Sequence, residues 1–293
     1  MVECNKIDFP CIVKPSDSNS SNGIKKVSDL EELYEFAQEA FSFSRNGKII
    51  VEKIVSGREI NVYCYASKSD VAIIATNERV CTEDGDDKSI KCFAGIMPAS
   101  INENEEEKIK KIAVDIADAF QLSNTVFFFQ TIIDGESINV IECAPRSGGG
   151  LSFYTIKECT GFDMIEAAID SYLGKETKLS TYHSPVTSMV VNTIYCKSGI
   201  FDRIDGIEDM IAEGVVHKYF PYKTKGMSIN GNSPSGGRVG AFVVKGKTKE
   251  EIIDKVSKIY NHIEVFDENN NSILRKDLNL TNYTDKIVMR NFK

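Results

Sequence analysis

The sequence predicts an α+β fold in more than one unit, on three observations. Short apolar runs bounded by Gly, Pro and Asn recur along the chain and read as strands. Only a few segments show the three- and four-residue apolar spacing of a helix face. A polar stretch, Gly174–Ser184, also interrupts a chain whose 293 residues suggest about two domains.

In chain order, Phe9–Lys14 reads as a buried strand stopped by Pro15, and Ser16–Gly23 is a polar loop. Ile24–Val27 returns as a strand. Ser28 is expected to cap a helix, with Glu31 as its capping-box partner and Leu30, Leu33, Tyr34, Ala37 and Phe41 on one face. Gly47 ends it, and Lys48–Val55 is a strand. Glu59–Ala66 and Val71–Asn77 follow as strands, then a charged, loop-like Thr82–Lys91. A helix begins near Glu103, where acidic residues Glu103–Glu107 suit its dipole, with Ile109, Ile112, Ala113, Ile116, Ala117 and Phe120 on one face. Val126–Ile133 and Ser137–Cys143 form a hairpin around Asp134-Gly135. Pro145–Gly150 is a loop and Met164–Leu173 a helix. Beyond the polar break come a strand (Val186–Tyr195), a helix-like piece (Glu208–Glu213), a Gly/Ser/Asn/Pro loop (Asn230–Gly237), a strand (Val239–Lys245) and a helix (Lys249–Ile263). The final thirty residues read as polar and peripheral. The expected units are 1–55, 56–178 and a small C-terminal α+β module, 179–293.

Composition excludes several functions. An apolar content of 42% rules out a wholly disordered chain. The 35 Lys and Arg against 43 Asp and Glu leave a net charge of −8, so nucleic acid is not an expected partner. A nucleotide site needs only a few local cations. Runs such as Val126–Phe129 and Met189–Val191 fall far short of the roughly 18 residues of a membrane span, and residues 1–6 lack a signal pattern. Eight cysteines without a C-x-x-C read as reduced thiols of a cytoplasmic protein. His183, His217 and His262 lack zinc-site spacing. Gly246-Lys247-Thr248 is no Walker loop, because position 241 is Ala, and no G-x-S-x-G occurs.

Three segments carry candidate chemistry. If the 126–143 hairpin turns about Glu136, Gln130 opposes Glu142 on one face. Two such oxygens beside a glycine-rich loop and Arg146 suit a Mg²⁺ ion shared with phosphates; the alternative is a Glu142–Arg146 pair with Gln130 at an edge. Lys14 ends an apolar strand before a loop of small residues, which can place an ammonium and backbone N–H groups on phosphate; the alternative is a solvated strand end. Val51–Glu59 carries acidic residues around Gly57 and can hinge two lobes and offer backbone groups to an adenine edge, or be an ordinary surface strand.

In order, FPCIVKPSDSNSSNG, VEKIVSGRE and FQTIIDGESINVIECAPR resemble the ATP-grasp superfamily from about Phe9 to Gly174. The likeness is to its carbamoyl-phosphate synthetase, phosphoribosylglycinamide synthetase and L-amino-acid ligase branch. It implies two lobes clasping ATP, a lid at 1–55 and a catalytic lobe at 56–178, and ATP-dependent joining of a small-molecule carboxylate and an amine through an acyl phosphate. It implies that Lys14 holds phosphate, within a lid loop whose Ser16, Ser20, Ser21 and Gly23 close over the nucleotide. Lys53 and Val55, with Glu52 beside them, would meet adenine, and Glu59 the ribose. Gln130, which is Glu in many members and Gln in carbamoyl-phosphate synthetases, would bind Mg²⁺ or Mn²⁺ with Glu142. Arg146 would stabilise the transferred phosphoryl group. Ser147, Gly148 and Gly149 can approach a substrate closely. Arg238 lies in a Gly236–Gly240 stretch similar to the tail of L-amino-acid ligases and would either reach a substrate carboxylate or serve a turn. Arg79 would face substrate or nucleotide, or be a salt-bridged strand end. Two departures stand out. The motif Asn of E-x-N-P-R is Ala144, and Lys14 stands without the domain that family members carry ahead of it, so the chain is expected to be a fragment, one half of a split enzyme completed by a separate N-terminal domain or subunit or by a homodimer, or a protein that has lost part of its site.

Overall fold

The computed structural model describes residues 7–19, 21–84, 89–179 and 182–290. Apolar alternation produces a first, three-stranded sheet. Its strands are β1 (Cys11–Pro15), β2 (Lys25–Val27) and β3 (Ile49–Lys53), ordered β2-β1-β3 and antiparallel. Helix α1 (Leu30–Phe43) packs Leu33 and Ala40 against Cys11, Val13 and Val27. Its cap is Asp29, whose carboxylate accepts from the N–H groups of Glu31 and Glu32, while Glu32 accepts from Ser28 N–H. The cap therefore sits one residue later than Ser28, and in place of the expected Ser28–Glu31 capping box Glu32 reaches back to the N–H of the residue before the cap.

The remaining strands build one antiparallel sheet of eight, ordered β11-β13-β9-β6-β5-β4-β7-β8. One side of it is β6 (Ser89–Met97), β5 (Val71–Asp84), β4 (Arg58–Ala66) and β7 (Thr125–Asp134), with β8 (Ser137–Ala144) at the edge. Strands β9 (Ser188–Tyr195), β11 (Lys218–Pro221) and β13 (Arg238–Gly246) extend the same sheet, so it runs unbroken across position 179. Helix α2 (Glu103–Ala119), opened by the Asn102–Glu105 capping box, seals one face over Ile60, Val62, Phe127 and Phe129. Helices α3 (Ser152–Thr160) and α4 (Met164–Tyr172) cover part of the other, over Tyr63, Tyr65 and Phe128. Towards the C-terminus, β10 (Gly199–Asp205), α5 (Ile207–Ala212), β12 (Ser228–Ile229), α6 (Lys249–His262) and β14 (Glu264–Asp267) complete a second layer around Phe242 and Tyr260.

Two expectations are corrected here. Of the loop expected at Thr82–Lys91, the described residues are strand: β5 continues to Asp84 and β6 starts at Ser89. Lys91 is 2% exposed in that strand because Asp84 pairs with it, and Arg275 chelates the same carboxylate. These contacts hold the Asp84 carboxyl at about 2, with the Arg275 hydrogen bonds as the main cause. The last thirty residues are not peripheral, since Ile273, Leu274, Leu278, Leu280 and Ile287 are buried in the core. Among the described residues no helix is long and apolar enough to cross a membrane.

Candidate active site

Strand alternation puts Glu59, Asn61 and Tyr63 of β4 on the face opposite α2. Register adds the side chains beside them: Glu59 pairs with Arg79 and Asn61 with Asn77 on β5, and Asn61 pairs with Gln130 on β7. Gln130 pairs in turn with Glu142 on β8. The opposition of Gln130 and Glu142 is as expected, but its route differs. The turn is the two residues Gly135-Glu136, with Asp134 opposite Ser137. A regular ladder from that turn would set Glu142 against Phe129, on the α2 side. A β-bulge absorbs Ile141, between the Thr131–Val140 and Gln130–Glu142 pairs, and turns Glu142 to the open face.

These groups are coupled. Arg79 and the Gln130 carboxamide both donate to Glu59 Oε1, and the Cys81 thiol lies 3.6 Å from Oε2. Burial raises the Glu59 carboxyl above its ordinary value, the Arg79 guanidinium opposes the rise, and the nearby Glu142 charge adds to it. Gln130 is 8% exposed, whereas Glu142 is open to solvent. Arg146 is exposed, donates to Ser147 O at 2.8 Å and lies 5.0 Å over the ring of Phe128, the residue paired with Ala144. Gly148 packs so closely that a Cβ would stand 2.3 Å from the Tyr63 ring, while Gly149 faces open space. Arg238 Nε donates to Tyr195 Oη at 2.8 Å, and its charge reaches Cys92 on β6.

The first sheet carries the other candidates. Lys14 and Glu52 project from neighbouring strands and form an ion pair, so the lysine is neutralised within the sheet. Lys53 is exposed at the end of β3, and Val55 is half-buried in the link to β4. In that link Gly57 has φ +143°, and a Cβ there would stand 2.2 Å from Ile133 O, so only glycine passes. Ser16 donates to Asn46, Ser21 and Gly23 take positive φ, and Ser20 lies outside the described residues. Lys26 on β2 pairs with Glu83 on β5, tying the small sheet to the large one.

Asn61 was not anticipated. Its Nδ2 reaches Tyr63 Oη at 3.3 Å, while Oδ1 is buried without a partner beside Gln130. Its sequence signal is parity: it stands two residues from Glu59 and is the one amide among apolar neighbours. Among the described residues no three His, Cys, Asp or Glu side chains are grouped to hold a metal alone. The oxygen donors available on this face beside Glu59 are instead the Glu142 carboxylate and the Gln130 and Asn61 amides, which suit a hard cation completed by phosphate and water oxygens. The orphaned Asn61 Oδ1 leaves an acceptor free in a site where Ala144 removes one.

Comparison with known proteins agrees with this architecture. A family model described as the D-ala D-ala ligase C-terminus matches residues 2–144. A D-alanine–D-alanine ligase of Thermosipho africanus is 31% identical over 190 residues, covering 59% of this chain and 50% of that protein. The crystal structure of an L-amino acid ligase from Bacillus licheniformis superposes with TM-score 0.73 at 21% identity, covering 90% of this chain and 64% of that one. The biotin carboxylase domain of the Hydrogenobacter thermophilus 2-oxoglutarate carboxylase, a dimer in complex with MgADP, ADP and bicarbonate, gives TM-score 0.69 at 15% identity, covering 99% and 65%. The chain is thus similar to ligases of the ATP-grasp kind, with the family model covering 143 of its 293 residues. It spans about half the length of that curated relative.

Proposed function

We propose that the chain is an ATP- and Mg²⁺-dependent carboxylate–amine ligase, or the ATP-grasp portion of one, acting through an acyl phosphate. The observation that carries this is the convergence of Glu59, Gln130, Glu142 and Arg79 on one sheet face, joined through a glycine link to a sheet bearing Lys14. In this reading Lys14 leaves Glu52 for phosphate oxygens, residues 16–23 close over them, and Lys53 and Val55 offer backbone groups to adenine beside Glu52. Glu59 accepts from the ribose hydroxyls. Gln130 and Glu142, with Asn61 in place of the absent motif Asn, hold a Mg²⁺ or Mn²⁺ ion whose charge offsets that of the phosphates.

A substrate carboxylate oxygen attacks the γ-phosphorus, and the bond to the ADP oxygen breaks. Arg146 stabilises the charge on the transferring group, and the protein's part is chiefly positioning. Amine attack on the acyl carbon then expels inorganic phosphate. The loop Ser147–Gly149 and Arg238 border the space for the acid. A cytoplasmic location suits free thiols.

The second reading is an ATP-binding module or subunit completed by a separate N-terminal domain partner or a second copy, favoured by Ala144 in place of the motif Asn. Calorimetry of Mg·ATP with Lys14→Ala and Glu142→Ala tests the site. Both should weaken binding while His217→Ala does not; wild-type affinity in both variants overturns the assignment. Phosphate release across a panel of amino acids and amines separates the ligase from the module.

A further inference from the structure

Cys81 and Cys92 stand directly opposite each other on the antiparallel strands β5 and β6. A bulge creates that pairing: Val80 opposes Ala94, Phe93 is the extra residue, and its ring goes into the core against Tyr283. Both thiols therefore point to the candidate active-site face. Directly opposed antiparallel Cα atoms lie about 4.5–5.5 Å apart, inside the roughly 4.4–6.8 Å range a disulfide spans. The Cys81 thiol lies 3.6 Å from Glu59 Oε2, and the Cys92 thiol donates to Ala94 O at 3.6 Å. Both are partly exposed, as is Cys143, whereas Cys11, Cys64, Cys159 and Cys196 are buried. The adjacent Cys81 thiol holds the Cys92 thiol well below its ordinary value; burial opposes this, and Arg79 and Arg238 favour the thiolate.

We propose that Cys81 and Cys92 are a peroxide-sensitive dithiol that closes to a disulfide within the candidate nucleotide site and, on the ligase reading above, lowers nucleotide affinity. The Cys92 thiolate attacks one peroxide oxygen, the O–O bond breaks, and the leaving hydroxide takes up a proton to become water. Cys81 sulfur then attacks the sulfenic sulfur, the S–S bond forms, and hydroxide departs with the Cys81 proton as a second water. Two thiols lose two electrons, and the peroxide gains them. Closure draws Cys81 away from Glu59, leaving that carboxylate to Arg79 and Gln130 alone.

The test treats the reduced full chain with hydrogen peroxide, blocks residual thiols and maps the peptides by mass spectrometry. The expected product joins the Cys81 and Cys92 peptides, is reversed by dithiothreitol, and is lost in Cys92→Ser. Overoxidation of Cys92 without the link, or links only among other cysteines, overturns the proposal. Mg·ATP affinity measured on both forms should be roughly three- to tenfold weaker after oxidation, and equal affinities would refute the coupling to the site. A reduced protein that binds no nucleotide refutes the ligase reading instead, and the linkage is then judged by the peptide map alone.

Discussion

On one face of β4 and β7, Ile60, Val62, Cys64, Phe127 and Phe129 are fully buried beneath α2. One residue away along the same strands, Glu59, Asn61 and Gln130 line the opposite face. The first set removes apolar area from water and holds the sheet together. The second keeps polar groups in partial burial, where only hydrogen bonds and ion pairs offset their desolvation. The α2-facing set thus carries stability and the opposite one the candidate site, and substitutions should separate the two.

The largest expected effect is on the sealed face. Phe127→Ala should cost about 3–5 kcal/mol of unfolding free energy, read from urea titration; a loss near zero would mean that α2 does not hold the sheet. Next comes the charged exception on that face, Glu78, paired with Arg58 and 3% exposed. Burial raises its carboxyl from 4.5 to about 7, although Arg58 opposes the shift. Because the folded state keeps this proton longer than the unfolded one, stability should fall as pH rises between those values, by at most about 3 kcal/mol. Glu78→Gln should flatten that slope in thermal melts across pH 4–8. Gly57→Ala, forced against Ile133 O, should cost about 1–3 kcal/mol, visible as a lowered Tm. The smallest effect on stability belongs to the open face: Glu142→Gln should shift unfolding by less than about 0.5 kcal/mol, yet weaken Mg·ATP binding roughly tenfold or more. A destabilised Glu142→Gln would blur the division between the faces.

Legibility in the sequence follows the range of the interactions. The helices with long periodic faces, α1, α2 and α6, and the β7–β8 hairpin were readable because neighbours in sequence determine them. Strand β6 was not, because its Lys91 is tolerated only through Asp84, and Asp84 through Arg275, far along the chain. The peripheral reading of the tail failed likewise: six apolar residues scattered among polar ones, Val265 with Ile273, Leu274, Leu278, Leu280 and Ile287, are enough to anchor it. At the site, Gln130 and Glu142 were found by counting across a turn, although the count met the right partner only because a bulge replaced the assumed turn centre. Asn61 and the Cys81–Cys92 pair depend on register between strands, which no single segment encodes.

The extra residue at Ile141 also gives the hairpin slack in one direction. With that residue deleted, the ladder closes regularly from Val140 to the next position and still sets the carboxylate opposite Gln130. One more residue inserted there has no place left to hide. Length variants of this protein should therefore tolerate a shorter β8 far better than a longer one.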